Sequence, residues 1–143
     1  MRRARRGVAL VILSLLVVAA CGSSSSEPAA PPPPPVDLRG RTSVDVDAID
    51  NKFTPPSIIV SLGTKVTWRN KGALAHNVKK SADIVDFGAT FGVNTADFGP
   101  GASYSFTFAK PGTYGYTCTI HSLMDGLVRV EADTTVTTGT TAG

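Results

Sequence analysis

Between residues 40 and 133 the hydrophobic positions recur at every second residue in short runs, and no stretch keeps the period of a helix. The run Ser43–Ile49 alternates valine and alanine with acidic residues, and Tyr104–Phe108 places three aromatic rings on one face. Glycine and proline turn signals separate the runs. This pattern favours an all-β fold, an antiparallel β-sandwich. The predicted strand segments are residues 43–49, 58–60, 66–69, 76–80, 104–108, 114–118 and 127–131.

The segment from Ser81 to Gly101 is less regular, with Phe87, Phe91 and Phe98 among glycines and polar residues. We expect a loop with one short strand or helical turn there. The Thr-rich residues 134–143 are expected to form a disordered tail. Four aromatic residues are predicted to pack in the core: Trp68, Phe106, Tyr114 and Tyr116.

The N-terminal residues 1–20 have the three parts of a secretory signal. Four arginines precede the apolar run Gly7–Val18, and two alanines precede Cys21. The apolar run is shorter than the ~20 residues that a membrane-spanning helix needs. The ending VAAC resembles the bacterial lipobox, which predicts that Cys21 is lipidated; the alternative is an ordinary signal cut near Ala20, with Cys21 a plain thiol. Residues 21–39, Ser-rich and then Pro-rich, are predicted to be a tether.

The charge of the 143-residue chain changes when this signal is removed. The full chain has 14 basic and 11 acidic residues, a formal net charge of +3. The four arginines leave with the signal, so 10 basic residues remain against 11 acidic ones, a net charge of −1. No basic patch remains to indicate nucleic acid binding. We therefore expect an exported bacterial domain, residues 40–133, held by its lipid at the outer face of the membrane.

The stretch GYTCTIHSLMDG brings Cys118, His121 and Met124 close together in the sequence. The chain has only two histidines, and the other one is His76. Two imidazoles and one thiolate, with a weak axial thioether, suit copper in an electron-transfer site. If Cys21 is lipidated, Cys118 is left without a disulfide partner. His121 and Met124 would lie on the loop between two strands, where Asp125 and Gly126 would allow the return.

The segments FTPPSIIVSLGTKVTWRN, HNV and YGYTCTIHSLMDGLVRV resemble the cupredoxins, small blue copper proteins, over about residues 43–131. The C-x2-H-x2-M spacing is more similar to amicyanin than to plastocyanin or azurin. The resemblance implies a Greek-key β-sandwich of about eight strands that holds one type 1 copper ion. It implies His76, Cys118, His121 and Met124 as ligands, with Met124 the long axial one. Asn77 would stiffen the site by hydrogen bonding.

The resemblance is incomplete at one position of the ligand loop. Amicyanin-type loops often carry proline after the histidine, and Ser122 stands there in this chain. Acidic docking patches of the plastocyanin type are not evident. The resemblance places partner docking near His121, where Ala73, Leu74 and Leu123 could form an apolar patch; ordinary exposed apolar residues are the alternative.

The predicted function is that of a monomeric, membrane-anchored electron carrier that cycles between Cu(I) and Cu(II), and not that of an enzyme. A second copper centre would need further histidines, and the sequence has none left. The alternatives are a copper-binding module for delivery or sequestration, and a metal-free adhesion or scaffolding lipoprotein. A zinc site built from CxxH and His76 would leave Met124 without a role.

Overall fold

The computed structural model describes residues 31–81 and 88–132. By its internal contacts the chain divides into two units, Met1–Pro31 and Pro32–Gly143, and the features below belong to the second. The predicted signal, Cys21, Phe87 and the Thr-rich tail lie outside the described residues. Within the described part of the chain, no helix has the length and apolarity needed to cross a membrane.

Within residues 31–81 and 88–132, ten strands form two sheets, which confirms the predicted all-β class. One sheet has six strands in the order β1-β4-β10-β9-β6-β7, and the other has four in the order β3-β2-β5-β8. The strands are β1 Val36–Asp37, β2 Ser43–Ile49, β3 Lys52–Thr54, β4 Ser57–Ser61, β5 Lys65–Asn70, β6 Val78–Lys80, β7 Gly92–Val93, β8 Ser103–Thr107, β9 Gly112–Thr117 and β10 Asp125–Glu131.

The described strands exceed the expected eight because β1, β3 and β7 have only two or three residues. Such short strands show no readable hydrophobic alternation, since the period needs at least four residues. β1 lies among the residues assigned to the tether. The irregular segment contains both expected features, since β7 is followed by a 3-10 turn at Thr95–Asp97.

The sheets are mixed, whereas the sequence predicted antiparallel pairing. β4 pairs in parallel with β1 and with β10, and β2 pairs in parallel with β5. Side chains alternate with the same period in parallel and antiparallel strands, so the hydrophobic pattern does not distinguish the two arrangements.

The core lies between the sheets and is rich in aromatic rings, as predicted. Trp68 is fully buried and contacts Tyr116 edge-on at a centroid distance of 5.2 Å and Tyr104 in a stacked arrangement at 5.7 Å. Tyr114 is buried as well, and Phe106 is partly buried against the core. This packed aromatic framework supports the strand ends from which the candidate site is built.

One end of the sandwich, here called the site end, gathers the loops that carry the candidate ligands. β9 runs towards the loop 118–124 and β10 runs away from it, since Thr117 lies opposite Asp125. β6 is antiparallel to β9 and begins two residues after His76. The predicted ligands from distant parts of the sequence therefore meet at the same end.

Candidate metal centre

Three side-chain donors converge at the site end: His76, Cys118 and His121. The two histidine Nδ1 atoms are 3.1 Å apart, and Cys118 Sγ lies 3.4 Å from Nδ1 of His121 and 3.9 Å from Nδ1 of His76. The point equidistant from the three atoms is about 2 Å from each, the length of a bond from a first-row metal to an imidazole nitrogen. The donor set therefore fits one transition-metal ion in trigonal surroundings.

His76 is supplied by the loop between β5 and β6, which Asn70 holds in place. The Asn70 amide donates to the carbonyl oxygens of Leu74 and Phe98, each at 2.9 Å, and its Oδ1 accepts from the Gly72 N–H at 3.0 Å. The N–H of His76 donates to the same Phe98 carbonyl at 3.1 Å. His76 is fully buried, so its ring has little freedom to leave the site.

Cys118 and Met124 lie at the two ends of one tight loop. The N–H of Cys118 donates to the Met124 carbonyl at 2.8 Å, and the N–H of His121 donates to the Cys118 carbonyl at 3.3 Å. These bonds fold the loop back so that His121 faces the sulfur. Cys118 carries a free thiol, and both Cys118 and Met124 are buried. A soft thioether thus lies within six residues of two of the converging donors, Cys118 and His121, and is shielded from solvent.

Asn77 joins the two segments that carry the clustered donors through its main chain and its side chain. Its N–H donates to Cys118 Sγ at 3.5 Å. Its side-chain amide donates to Thr119 Oγ1 at 2.9 Å and to Thr95 Oγ1 at 3.1 Å, and its Oδ1 accepts from the Thr119 N–H at 2.9 Å. Such bonds fix the direction from which the sulfur reaches a metal.

Burial keeps the imidazole of His76 in its metal-binding form. Burial lowers the pKa of His76, the neighbouring His121 lowers it further, and the Asp50 carboxylate opposes both effects. The neutral ring offers a lone pair, whereas the protonated ring cannot bind a metal. The Nε2 atom of His76 is buried without a hydrogen-bond partner. Gly72 lies against this atom, because a Cβ built on Gly72 would be 3.2 Å from it.

The other histidine faces a different environment. His121 is half-buried, and Ile120 and Leu123 beside it in the sequence are exposed by 50% and 94%. The predicted patch residues Ala73 and Leu74 are also exposed. The backbone φ of Leu123 is +61°, a left-handed conformation that is uncommon for residues other than glycine. A large apolar side chain is thus presented to solvent at a strained position.

Sequence reasoning did not identify Asn70, Gly72, Thr95 and Thr119 as supports of the site. They carry no metal-ligating chemistry, and their roles depend on loop geometry.

Gly126 was expected to allow a sharp turn, and the structure gives a different reason for a glycine at this position. It lies within β10, and a Cβ there would meet the Tyr116 ring at 2.2–2.4 Å. A glycine is therefore required by the close approach of that ring.

Residues 41–131 match the family of copper binding proteins described as the plastocyanin/azurin family. The chain is 37% identical over 89 residues to amicyanin from Paracoccus denitrificans, a match that covers 62% of this chain and 66% of that one. It is 37% identical over 84 residues to plastocyanin from Scenedesmus fuscus, covering 55% of this chain and 86% of that one. A purple cupredoxin from Nitrosopumilus maritimus shares the fold, with a TM-score of 0.50 at 20% identity over 61% of this chain and 98% of that one.

The two-sheet fold, the donor cluster and the sequence match define the class of protein. The chain belongs to the plastocyanin/azurin family of copper binding proteins, the cupredoxins. Its cofactor is one type 1 copper ion, a conclusion that the chemistry of the clustered donors supports independently.

Proposed function

We propose that the protein is a membrane-anchored carrier of single electrons, with His76, Cys118, His121 and Met124 as the copper ligands. When bound, the copper ion supplies a Cu(I)/Cu(II) couple. The observation that carries this proposal is the convergence of three buried or half-buried donor atoms within 4.8 Å of one another on a rigid β framework. Donors fixed by the fold change position little when a bound ion changes charge, which keeps the reorganisation energy low.

The burial of the ligands favours electron transfer over the delivery of copper. His76, Cys118 and Met124 are at most 1% exposed. A delivery site must hand its ion to another protein by exchanging ligands, and ligands buried under the fold cannot be approached directly. Electrons need only an exposed edge close to the ion, and His121 provides it. We place partner docking on the exposed side chains near this edge, Ala73, Leu74 and Leu123.

We further propose that the chain is exported from a bacterial cell and works as a monomer at the outer membrane face. Residues 1–20 would be the signal, 21–39 the tether from a lipidated Cys21, 40–133 the folded domain and 134–143 the tail, with β1 at Val36–Asp37 joining the end of the tether to the sheet. The support is the n-region, apolar run and lipobox pattern of the sequence. Mass spectrometry of the protein isolated from membranes tests this, since lipidation adds acyl mass to a chain that begins at Cys21.

Copper loading followed by visible absorption and voltammetry tests the electron-carrier proposal. The oxidised protein should be intensely coloured, because a buried thiolate bound to Cu(II) absorbs visible light, and its redox wave should be reversible. A colourless copper complex that loses its metal readily to a chelator would instead support delivery or sequestration. Replacing Cys118 with serine should abolish the colour, while replacing the exposed Ser105 with alanine should leave it unchanged.

A further inference from the structure

The chain enters the folded unit at the site end of the sandwich. β1 is parallel to β4, with Val36 opposite Ile58, and β4 is parallel to β10, with Ser57 opposite Leu127. β10 begins one residue after Met124 and runs away from the metal centre. β1 therefore also runs away from the metal centre. The residues that precede Val36 lie at the site end of the sheet.

A groove on the same part of the surface gives a second, independent indication of this placement. Pro32–Pro35 line it together with Asp125, Gly126 and Leu127. These last three residues directly follow Met124 at the start of β10. The proline run thus lies beside the start of β10, the strand that follows the ligand loop. The opposite end of the sandwich lies at the far end of β10.

The direction of β1 is fixed by contacts of Asp37 and of the two residues that follow it. The N–H of Leu38 donates to the Ile59 carbonyl at 2.8 Å. The guanidinium of Arg39 bridges Asp37 at 2.6 Å and Glu131 at 2.8 Å. Proline has no N–H, so the five prolines before Val36 cannot extend the hydrogen-bonded ladder. A proline run adopts the extended polyproline conformation and acts as a semi-rigid spacer, so residues 32–35 leave the domain on the side of the metal centre.

We propose that the tether presents the site end to the membrane, so that the protein exchanges electrons with a membrane-bound redox protein rather than with a carrier diffusing in solution. This inference rests on the proposed function and on the proposed anchor at Cys21. Eleven residues lead from Cys21 to Pro32, and a chain of that length reaches at most about 40 Å. The exposed Leu74 and Leu123 side chains then face the narrow space between the domain and the bilayer surface. One electron passes per encounter, with no bond made or broken.

The orientation can be measured by NMR on the lipidated full-length mature chain in its diamagnetic Cu(I) form, bound to phosphatidylcholine nanodiscs that contain gadolinium-chelating lipid. Amide signals near the paramagnetic lipid lose intensity. We expect losses at residues 71–77 and 118–125 of the site end, and retained intensity at residues 62–64 and 109–113 of the opposite end. Equal losses at both ends, or larger losses at the opposite end, would overturn the inference.

A matched variant distinguishes an effect of the domain's orientation from an effect of its attachment to the membrane. Replacing residues 31–35 with alternating glycine and serine keeps the tether length and removes the stiff proline run. Its signal losses should spread over both ends, and its electron exchange with a ferrocene-headgroup lipid in the same bilayer should slow. Exchange with soluble hexacyanoferrate should be the same in both proteins. An unchanged rate with the ferrocene lipid would count against the proposal.

The outcomes distinguish this inference from the function on which it rests. Failure of the copper protein to exchange electrons even with hexacyanoferrate overturns the carrier function. A Cys21 without lipid overturns both the anchor and the orientation, and leaves electron transfer in solution standing. A lipidated, redox-active chain with evenly spread signal losses overturns the orientation alone.

Discussion

The two histidines of the candidate centre lie in opposite environments. His76 is fully buried, its N–H is bonded to Phe98, and the preceding loop is held by the Asn70 side chain. His121 is half-buried, and the residues on either side of it, Ile120 and Ser122, are exposed. In the proposed function the two histidines would have different roles. The His76 side would set the geometry of the metal, and the His121 side would give electrons a short path to the surface.

Cys118 belongs to both sides, because its sulfur approaches both imidazoles and accepts a hydrogen bond from Asn77. Replacing Cys118 with serine is therefore predicted to have the largest effect. Metal that binds only the folded state stabilises it, by about 4 kcal/mol at a thousandfold excess over Kd. We expect copper to raise the Tm of the wild type and not that of Cys118→Ser, as followed by circular dichroism.

The metal-free forms of both proteins serve as the control for this comparison. They should differ by only about 1–2 kcal/mol in the free energy of unfolding, since serine is smaller than cysteine and of similar shape. A copper-dependent rise in Tm of equal size in both proteins would show that Cys118 is not a ligand.

The next largest effect is expected at Asn77, on the buried side. Replacing Asn77 with alanine leaves the Thr119 N–H and the Thr95 hydroxyl without this partner, and we expect a loss of about 2–4 kcal/mol of stability from several broken, partly buried bonds. Because the loop after Cys118 is released, the copper colour and reduction potential should shift as well. Chemical denaturation and voltammetry measure the two effects.

Thr95→Val provides the graded control for Asn77, because it removes only the 3.1 Å bond from the Asn77 amide. Its cost should be about 0.5–1.5 kcal/mol, the value of a single hydrogen bond. If Asn77→Ala costs no more than Thr95→Val, the bonds to Thr119 do not hold the ligand loop.

The sequence was sufficient to predict the ligand chemistry because soft donors are scarce in this chain. With two histidines and one cysteine besides the predicted lipidation site Cys21, few combinations exist, and the structure does bring His76, Cys118 and His121 together. The assignment of these residues and of Met124 as copper ligands stays a prediction. The strands with clear hydrophobic alternation could also be predicted from the sequence. The predicted strand Ser43–Ile49 has the same bounds as the observed β2.

The remaining features depend on contacts that a one-dimensional pattern does not carry. The parallel pairing of β4 with β10 has the same alternation as antiparallel pairing. Gly72 is an ordinary glycine in the sequence, and only the folded loop shows that Asp50 and His76 leave no room for a side chain. The two-residue strand β1 is shorter than any readable period.

Gly72 provides the third test of the buried side. A Cβ at position 72 would lie 2.6 Å from Asp50 Oδ1 and 3.2 Å from His76 Nε2, so the carboxylate must shift and the His76 ring must give slightly. We expect Gly72→Ala to cost about 1–3 kcal/mol, the usual penalty for overpacking, and to change the visible spectrum. Gly99→Ala is the matched control, because a Cβ there meets nothing within 4 Å. Equal effects of the two substitutions would show that crowding at His76 is unimportant.

The exposed side should tolerate change with the smallest effect on stability and a selective effect on function. Leu123 is 94% exposed with a φ of +61°, and asparagine adopts this conformation more readily than leucine. Leu123→Asn should therefore change the free energy of unfolding by less than about 1 kcal/mol. Electron self-exchange between two copies, measured by NMR line broadening in mixtures of the Cu(I) and Cu(II) forms, should slow because the apolar contact near His121 is lost. Leu62→Asn, an exposed leucine at the opposite end, should leave self-exchange unchanged. If both variants slow it equally, the encounter does not occur at the His121 edge, and the exposed side has no special role in electron exchange.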